Sequence, residues 1–283
     1  MKKYSLFLLL LIASLSLHAQ NDLLDEIDGE LEVSSEVSSV FKGLKIVNLE
    51  STKTAAKGDF YFIISHRFGS VKGGIKELFG LDQSNIRFSF LYGFTDWFTA
   101  ALSRSSFEKT YDGTAKIKLA TQDSEGFPVS IAAFGAVAYK TADPDIAYVH
   151  YEDIHRLNYL AELLISRKFN ENLSLEVAPI FLHENFVVED TQDNSQYAAA
   201  LGGRYKLTKR LSLNVDYVYH FNRAEASSFN NPLSIGFDIE TGGHVFQVHF
   251  SNSQQMNDAG FINANGDWSE GDIFFGFNLS RVF

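Results

Sequence analysis

NIRFSFLYGF, residues 85–94, sorts its side chains onto two faces with a period of two. Ile86, Phe88, Phe90, Tyr92 and Phe94 share one face; Asn85, Arg87, Ser89 and Gly93 share the other, with Leu91 the one misfit. Strict alternation over this length predicts a strand rather than a helix. The pattern returns at 211–221, where Leu211, Leu213, Val215, Tyr217, Tyr219 and Phe221 oppose Ser212, Asn214, Asp216 and His220. It returns again at 233–240, with Leu233, Ile235, Phe237 and Ile239 opposing Ser234, Gly236, Asp238 and Glu240. Weaker versions at 58–68, 97–105, 112–121, 128–140, 155–169, 172–184, 196–208, 244–252 and 272–283 bring the number of expected strands to twelve.

The connections alternate in length. Short turns fall at Thr95-Asp96, Asp123–Gly126, Asn170-Glu171, Lys209-Arg210 and Thr241–Gly243, and long polar connections at 69–84, 141–154, 185–195, 223–232 and 253–271. Only 106–111 is brief among the latter. Short turns on one side and long loops on the other are the habit of outer-membrane barrels, with the periplasm facing the short side. KFNENLSLEV (168–177) and KLTKRLSLNV (206–215) repeat Lys, Leu, Ser, Leu and Val 38 residues apart, as two consecutive hairpins with like turns would.

A soluble β-sandwich also alternates apolar and polar faces. Several of these strands run 9–13 residues, longer than the five or six usual in globular sheets and close to what a tilted membrane-spanning strand needs. Aromatics cluster near strand ends: Tyr92, Phe94, Trp97, Phe98, Tyr219 and Phe221. The fold class expected is therefore all-β, a transmembrane antiparallel up-and-down barrel of about twelve strands. Its expected lumen-facing residues are Arg67, Arg87, Lys116, Lys118, Glu162, Glu176, Arg204, Asp216 and Asp238, with Arg156, Lys206 and Glu240 in the same set. Arg87, Lys116, Lys118 and Arg204 are expected to stand opposite Glu162, Glu176, Asp216 and Asp238, so that the lumen is ion-paired, wet or both.

Composition agrees. The chain of 283 residues has 26 Phe and 12 Tyr against 2 Met, a bias towards strand-forming residues. With no cysteine, disulfides, Cys-ligated metal, thiol nucleophiles and a lipidated N-terminal Cys are excluded. Four prolines give no Pro-rich linker. Lys2 and Lys3 precede an apolar run, Leu6–Leu17, and a small residue, Ala19, which together read as a cleavable secretory signal over 1–19. That run of 12 residues is too short to span a bilayer as a helix. Without Lys2 and Lys3 there are 22 basic against 35 acidic side chains, a net of −13, so no nucleic acid is expected as a partner.

Residues 20–50 form the next expected unit, an acidic N-terminal periplasmic segment ahead of a barrel over 51–283. Asp22, Asp25, Glu26, Asp28, Glu30, Glu32 and Glu36 stand there without a Lys or Arg before position 42. Leu23, Leu24, Ile27 and Leu31 keep helical spacing, weakened by Gly29. A solvated tail, a plug in the lumen and a docking peptide are the readings of this segment, the tail being the first. Leu44–Leu49 would make a thirteenth strand-like run; single-chain bacterial barrels have even strand numbers, so it is left outside the wall.

Candidate chemistry is thin. His150, Glu152, Asp153 and His155 lie within six residues, but on an extended chain His155 points away from His150 and Glu152, and the spacing fits no zinc motif. The acidic loops, with Asp143, Asp145, Glu189, Asp190 and Asp193, suit divalent cations bridging to lipopolysaccharide. His220 with Ser212 or Ser174 is the one serine–histidine pairing a lipase reading would use, and no GxSxG elbow accompanies it. GSVKGGIKELFG (69–80) lacks the strand–GxxxxGK[ST]–helix context of a phosphate loop. No catalytic, cofactor-binding or metal residues are assigned, and no cofactor is expected.

DIFFGFNLSRVF closes the chain with Ile273, Phe275, Phe277 and Leu279 in phase and a terminal aromatic, Phe283; Arg281 interrupts the phase. Such an ending is similar to the signal by which barrel-assembly machinery takes up a final strand. With ISHRFG (64–69), YGFTDW (92–97) and ISRKF (165–169), the ending GFNLSRVF (276–283) resembles an uncharacterised outer-membrane β-barrel family of unknown function seen mainly in Bacteroidota. The resemblance covers roughly 40–283 and implies a barrel in the Gram-negative outer membrane; it supplies no catalytic residues. Expected partners are outer-membrane lipid and lipopolysaccharide, and the assembly machinery through the C-terminal strand. Two functions remain: a narrow channel for small solutes or ions, and a structural or interaction barrel with a closed lumen. A barrel hydrolase acting on lipid trails both, and the length leaves no room for the 22 strands and plug domain of a TonB-dependent transporter.

Overall fold

A computed structural model describes residues 40–143, 150–188, 191–241 and 244–283. Twelve antiparallel strands close into a barrel in up-and-down order, the first pairing with the last. They are β1 Phe60–Ser70, β2 Ser84–Thr95, β3 Phe98–Ser105, β4 Thr110–Ala120, β5 Ser130–Lys140 and β6 Leu157–Lys168. The second half comprises β7 Leu173–Glu184, β8 Ser195–Lys206, β9 Leu211–His220, β10 Leu233–Thr241, β11 His244–Ser251 and β12 Phe274–Val282. Each expected strand is present, and closure leaves no unpaired edge, as a wall in hydrocarbon requires.

Alternation sets the facing. Along β7, buried and exposed residues follow one another from Ser174 to Leu182, and the exposed ones are Leu175, Val177, Pro179 and Phe181. Leu102 (71% exposed), Phe90, Leu201 and Phe237 continue this apolar outer surface around the wall. So large an exposed apolar surface is incompatible with water and matches a hydrocarbon surround. Aromatics gather at its two margins: Phe94, Trp97, Phe169 and Tyr205 beside the short turns, and Tyr111, Tyr159, Tyr197 and Phe221 beside the long loops. Arg281 does not break the phase of β12. It stays on the outer face at the short-turn margin, its guanidinium over the Phe283 ring at 4.5 Å.

The repeat at 168–177 and 206–215 has a common turn geometry. Phe169 and Leu207 each donate a backbone N–H to the residue four ahead, Leu173 and Leu211, at 2.9 Å. Inside each turn one side chain accepts two backbone N–H groups: Asn170 Oδ1 from Asn172 and Leu173, Thr208 Oγ1 from Arg210 and Leu211. Polar side chains that bond their own turn are the reason these residue types recur there. Pro179 is the one wall residue without an N–H to give, and the β6–β7 ladder passes from Glu162↔Ile180 to Ile165↔Val177 around it without changing register.

The lumen is filled from both ends. Residues 40–55 run inside the wall, where Val40, Phe41, Ile46, Val47, Leu49 and Ala55 are buried, and the chain leaves beside the β2–β3 turn, where Thr54 and Lys57 bond to Asp96. Leu44–Leu49 is therefore outside the wall as expected. The described part of the 20–50 segment is not a solvated tail, and the expected boundary at 50/51 falls within this inserted stretch. Residues 1–39, with the expected signal over 1–19, lie outside the described residues. From the other side the β11–β12 connection folds inward, burying Met256, Ala259, Phe261 and Ile262 with a short helix, Asp258–Phe261.

Candidate functional site

The inserted segment is a small hairpin built by its own sequence. Lys45 and Glu50 form an antiparallel bridge, Ser51 donates its N–H to the Leu44 carbonyl, and Ile46 donates to that of Leu49. Its apolar side chains need apolar walls. Phe41, Ile46 and Leu49 share one buried cluster with Ala132, Phe134, Leu164, Ala178, Ala198 and Ala200 on the inner face of β5–β8. The inner face of β5–β8 is therefore mixed: an apolar patch of small residues lies beside the expected Glu162, Glu176 and Arg204. Gly202 extends the arrangement: a Cβ there would lie 2.3 Å from Ile46 Cδ1, so a larger residue would push the end of the isoleucine aside.

Charge holds the other face of the hairpin. Asp216 on β9 receives the backbone N–H groups of Val47, Asn48 and Leu49 on one oxygen, Oδ2, at 3.2, 2.7 and 3.0 Å. Successive amides converging on a carboxylate make an anion nest at the hairpin tip. Glu176 on β7 receives the Thr52 N–H at 3.0 Å. Lys116 on β4 donates to the carbonyls of Leu44, Ser51 and Lys53 and pairs with Glu50 at 2.6 Å. Arg67 on β1 donates to Asn48 Oδ1 at 2.7 Å and to Asn278 Oδ1 at 3.2 Å. Burial alone would raise the Glu50 carboxyl, but the ammoniums of Lys116 and Lys45 outweigh it and hold the group down at about 2.

The expected charge arrangement is corrected in its pairing. Arg67, Arg87, Lys116, Glu162, Glu176, Arg204, Asp216 and Asp238 are all buried inside the barrel. Lys118 is half-buried near the short-turn end of β4. Among the described residues, however, no ion pair joins Arg87, Lys116, Lys118 or Arg204 to Glu162, Glu176, Asp216 or Asp238. Arg87 pairs with Asp112 at 2.7 Å and Arg204 with Glu240 at 2.7 Å, both along the wall. Asp238 accepts from Gln247 at 2.7 Å, and Glu162 Oε2 has no hydrogen-bond partner among the described residues. A filled lumen explains the difference. The inserted backbone lies between the walls and supplies the donors and acceptors that opposing walls were expected to supply.

Asp258, in the inward-folded connection, pairs with Lys45 of the hairpin and lies 3.8 Å from Arg87. Two cavities adjoin these insertions. One of about 280 Å³ runs from the short-turn mouth, by Lys42, Lys53 and His244, to Met256 and Asp258. Another of about 560 Å³ opens at the long-loop mouth and reaches Gln255 and Gly260. The turn of chain at 255–260 is thus the partition between them.

The other candidate chemistry is dispersed. The Glu152 N–H donates to His155 Nδ1 at 2.9 Å and the His155 ring stacks on Tyr151; among the described residues no three His, Asp or Glu are grouped to hold a metal ion. His220 meets Gln196 Oε1 at 2.8 Å, while Ser212 sits at the far end of β9. A serine–histidine contact does occur between His183 Nδ1 and Ser195 Oγ, 2.9 Å apart. A plug in the lumen, one of the three readings of the N-terminal segment, is what residues 40–55 form, whereas its hairpin shape and the partition were not expected, though signals for both existed. Ile131–Val137 is apolar on both faces of β5, which demands an apolar partner inside, and the 253–271 loop carries Met256, Ala259, Phe261 and Ile262.

The family model described as "Membrane bound beta barrel domain (DUF5777)" matches residues 41–283. A search of curated proteins gave no match. Among solved structures the NanC porin is similar with a TM-score of 0.50 at 6% identity, covering 79% of this chain and 98% of that one. The KdgM porin gives 0.49 at 8% identity, covering 80% and 99%. The outer membrane phospholipase A of Escherichia coli, as an active-site mutant, gives 0.44 at 11%, covering 81% and 90%. At such identities the likeness concerns the fold alone.

Proposed function

Since the chain belongs to the family described as membrane-bound β-barrel domains (DUF5777), we propose that it is a non-enzymatic outer-membrane passage held closed by its own hairpin. Residues 1–19 direct export, the short turns face the periplasm, and β12 is the strand that assembly machinery engages. The outer wall meets lipid and lipopolysaccharide. The passage is narrow and ion-selective when open, because its wall keeps Arg67, Arg87, Lys116 and Asp216 along the route the hairpin occupies.

The observation that carries this reading is how the hairpin is held. Its tip is fastened by hydrogen bonds from three amides to Asp216, and its stem by Lys116. Hydrogen bonds to charged groups contribute about 1.5–3 kcal/mol each, so removing one such partner should loosen the hairpin. The segment enters through the short-turn mouth, so withdrawal towards the periplasm would join the two cavities once the partition at 255–260 shifts. Proteoliposome swelling with small neutral and charged solutes tests this. The intact chain should admit little, and Asp216→Ala should admit small ions and solutes faster. Equal impermeability of both would favour a structural barrel whose lumen never opens.

A further inference from the structure

We propose that the cavity at the long-loop mouth is a binding site for a neutral, hydroxyl-rich ligand of the saccharide class. The inference stands apart from the passage reading, since a surface site works whether or not the lumen opens. Five of the long-side connections converge on it: those after β3, β5, β7, β9 and β11. Its volume, about 560 Å³, lies within the range of small-molecule sites.

Two kinds of surface meet there. Tyr151, His155 and Phe186 form one wall, with ring centroids 5.1–6.3 Å apart. Aromatic rings offer flat apolar faces, which suit the C–H face of a pyranose. The floor is polar: Asn158, Glu184, Gln255 and Asn263, each at least nine-tenths buried. Carboxamides carry donor and acceptor side by side, the spacing that adjacent hydroxyls match. Glu184 organises this floor, accepting from Asn263 at 3.0 Å, from Gln196 at 2.8 Å and from Asn158 at 3.5 Å.

One acceptor is left over. Gln255 is 6% exposed, and its Oε1 has no hydrogen-bond partner among the described residues. It is accommodated by a glycine, since a Cβ at Gly260 would lie 1.9 Å from that oxygen. A buried carbonyl oxygen without a donor is costly, and a bound molecule that brings a donor relieves that cost. A ligand hydroxyl is such a donor.

Charge selects neutral over acidic ligands. The acidic side chains of the lining are Glu108, Asp143 and Glu184, against the basic Lys140 and His155. Lys140 is committed to Glu108 at 3.1 Å and lies 4.0 Å from Glu184; Asp143 is committed to Arg156 at 2.7 Å. Among the described residues no uncommitted cation faces the cavity, so a carboxylate, sulfate or phosphate has nothing to neutralise it.

The test uses the intact chain, biotinylated and purified in a detergent without a sugar headgroup, on an array of neutral and acidic glycans. Titration calorimetry then follows with the strongest neutral glycan. Retention of neutral glycans above acidic ones is expected, with affinity weakened at least about tenfold by Gln255→Leu and by Tyr151→Ala, a loss of the size a central contact carries. Each variant should keep the heat-modifiable migration of the folded barrel; Tyr151→Ala, at a half-exposed loop position, keeps the test open if Gln255→Leu does not fold. Retention of no neutral glycan, preference for acidic ones, or folded variants that bind like the parent would each overturn the proposal.

Discussion

Lys45 and Asp258, 213 positions apart in the chain, form an ion pair inside the barrel. One belongs to the hairpin that enters beside the short turns, the other to the connection that folds in from the long-loop side. The pair joins the two insertions into one obstruction. The Asp258 charge is buried and Lys45 is its partner, so displacing either insertion while the other stays would leave that carboxylate without its Lys45 partner.

The Asp216 nest should govern how often the hairpin tip leaves. Hydrogen bonds to a charged group contribute about 1.5–3 kcal/mol. Asp216→Ala should therefore speed hydrogen exchange of the Val47, Asn48 and Leu49 amides by at least about tenfold, with little change in the wall. Unchanged exchange would mean that the tip is held by apolar packing alone.

Much of this molecule was legible in the sequence. Period-two alternation at 85–94, 211–221 and 233–240 locates strands and their faces, because lipid and lumen impose opposite demands on neighbouring residues. The even-strand rule kept Leu44–Leu49 out of the wall, yet it says nothing about where an excluded strand goes. The pairing of the inner charges was not legible either. Asp216 and Lys116 bond to backbone groups of the hairpin, and a backbone carries no residue-type signal. Arg281 looked like a break in phase only because a strand end at the interface tolerates a charge whose stem stays apolar.

Gly202 tests the fit of the hairpin by size alone. Gly202→Val should displace Ile46, since even a Cβ would lie 2.3 Å from its Cδ1. The double variant with Ile46→Ala should recover part of the loss. A denaturant-unfolding double-mutant cycle should give a coupling in the range of about 0.5–3 kcal/mol. Simple additivity would separate the two residues.

Facing can be read from one outer residue. Phe90, half-exposed at mid-strand on β2, should meet hydrocarbon. Phe90→Arg should cost about 2–4 kcal/mol in unfolding from phospholipid vesicles, and Phe90→Leu much less. Arg and Leu of equal stability would place this face in water.

Acid should loosen the obstruction through Glu50. Its carboxyl sits at about 2, below its ordinary 4.5, because Lys116 and Lys45 outweigh burial. A depressed carboxyl stabilises the folded arrangement fully above its ordinary value, and that contribution fades as pH falls towards 2. Protection of the hairpin amides should drop across this window in the parent. Glu50→Gln should be less protected at neutral pH and should lack this part of the acid response; an identical pH profile in both proteins would assign the sensitivity elsewhere.

The central claim is that the hairpin is what closes the barrel, and single-channel recording in planar bilayers tests it most directly. The parent should give rare, small, ion-selective openings. The Lys116→Ala/Asp216→Ala variant, still heat-modifiable and therefore still a closed wall, should give longer and larger ones. The same silence or the same conductance from both proteins would contradict the account.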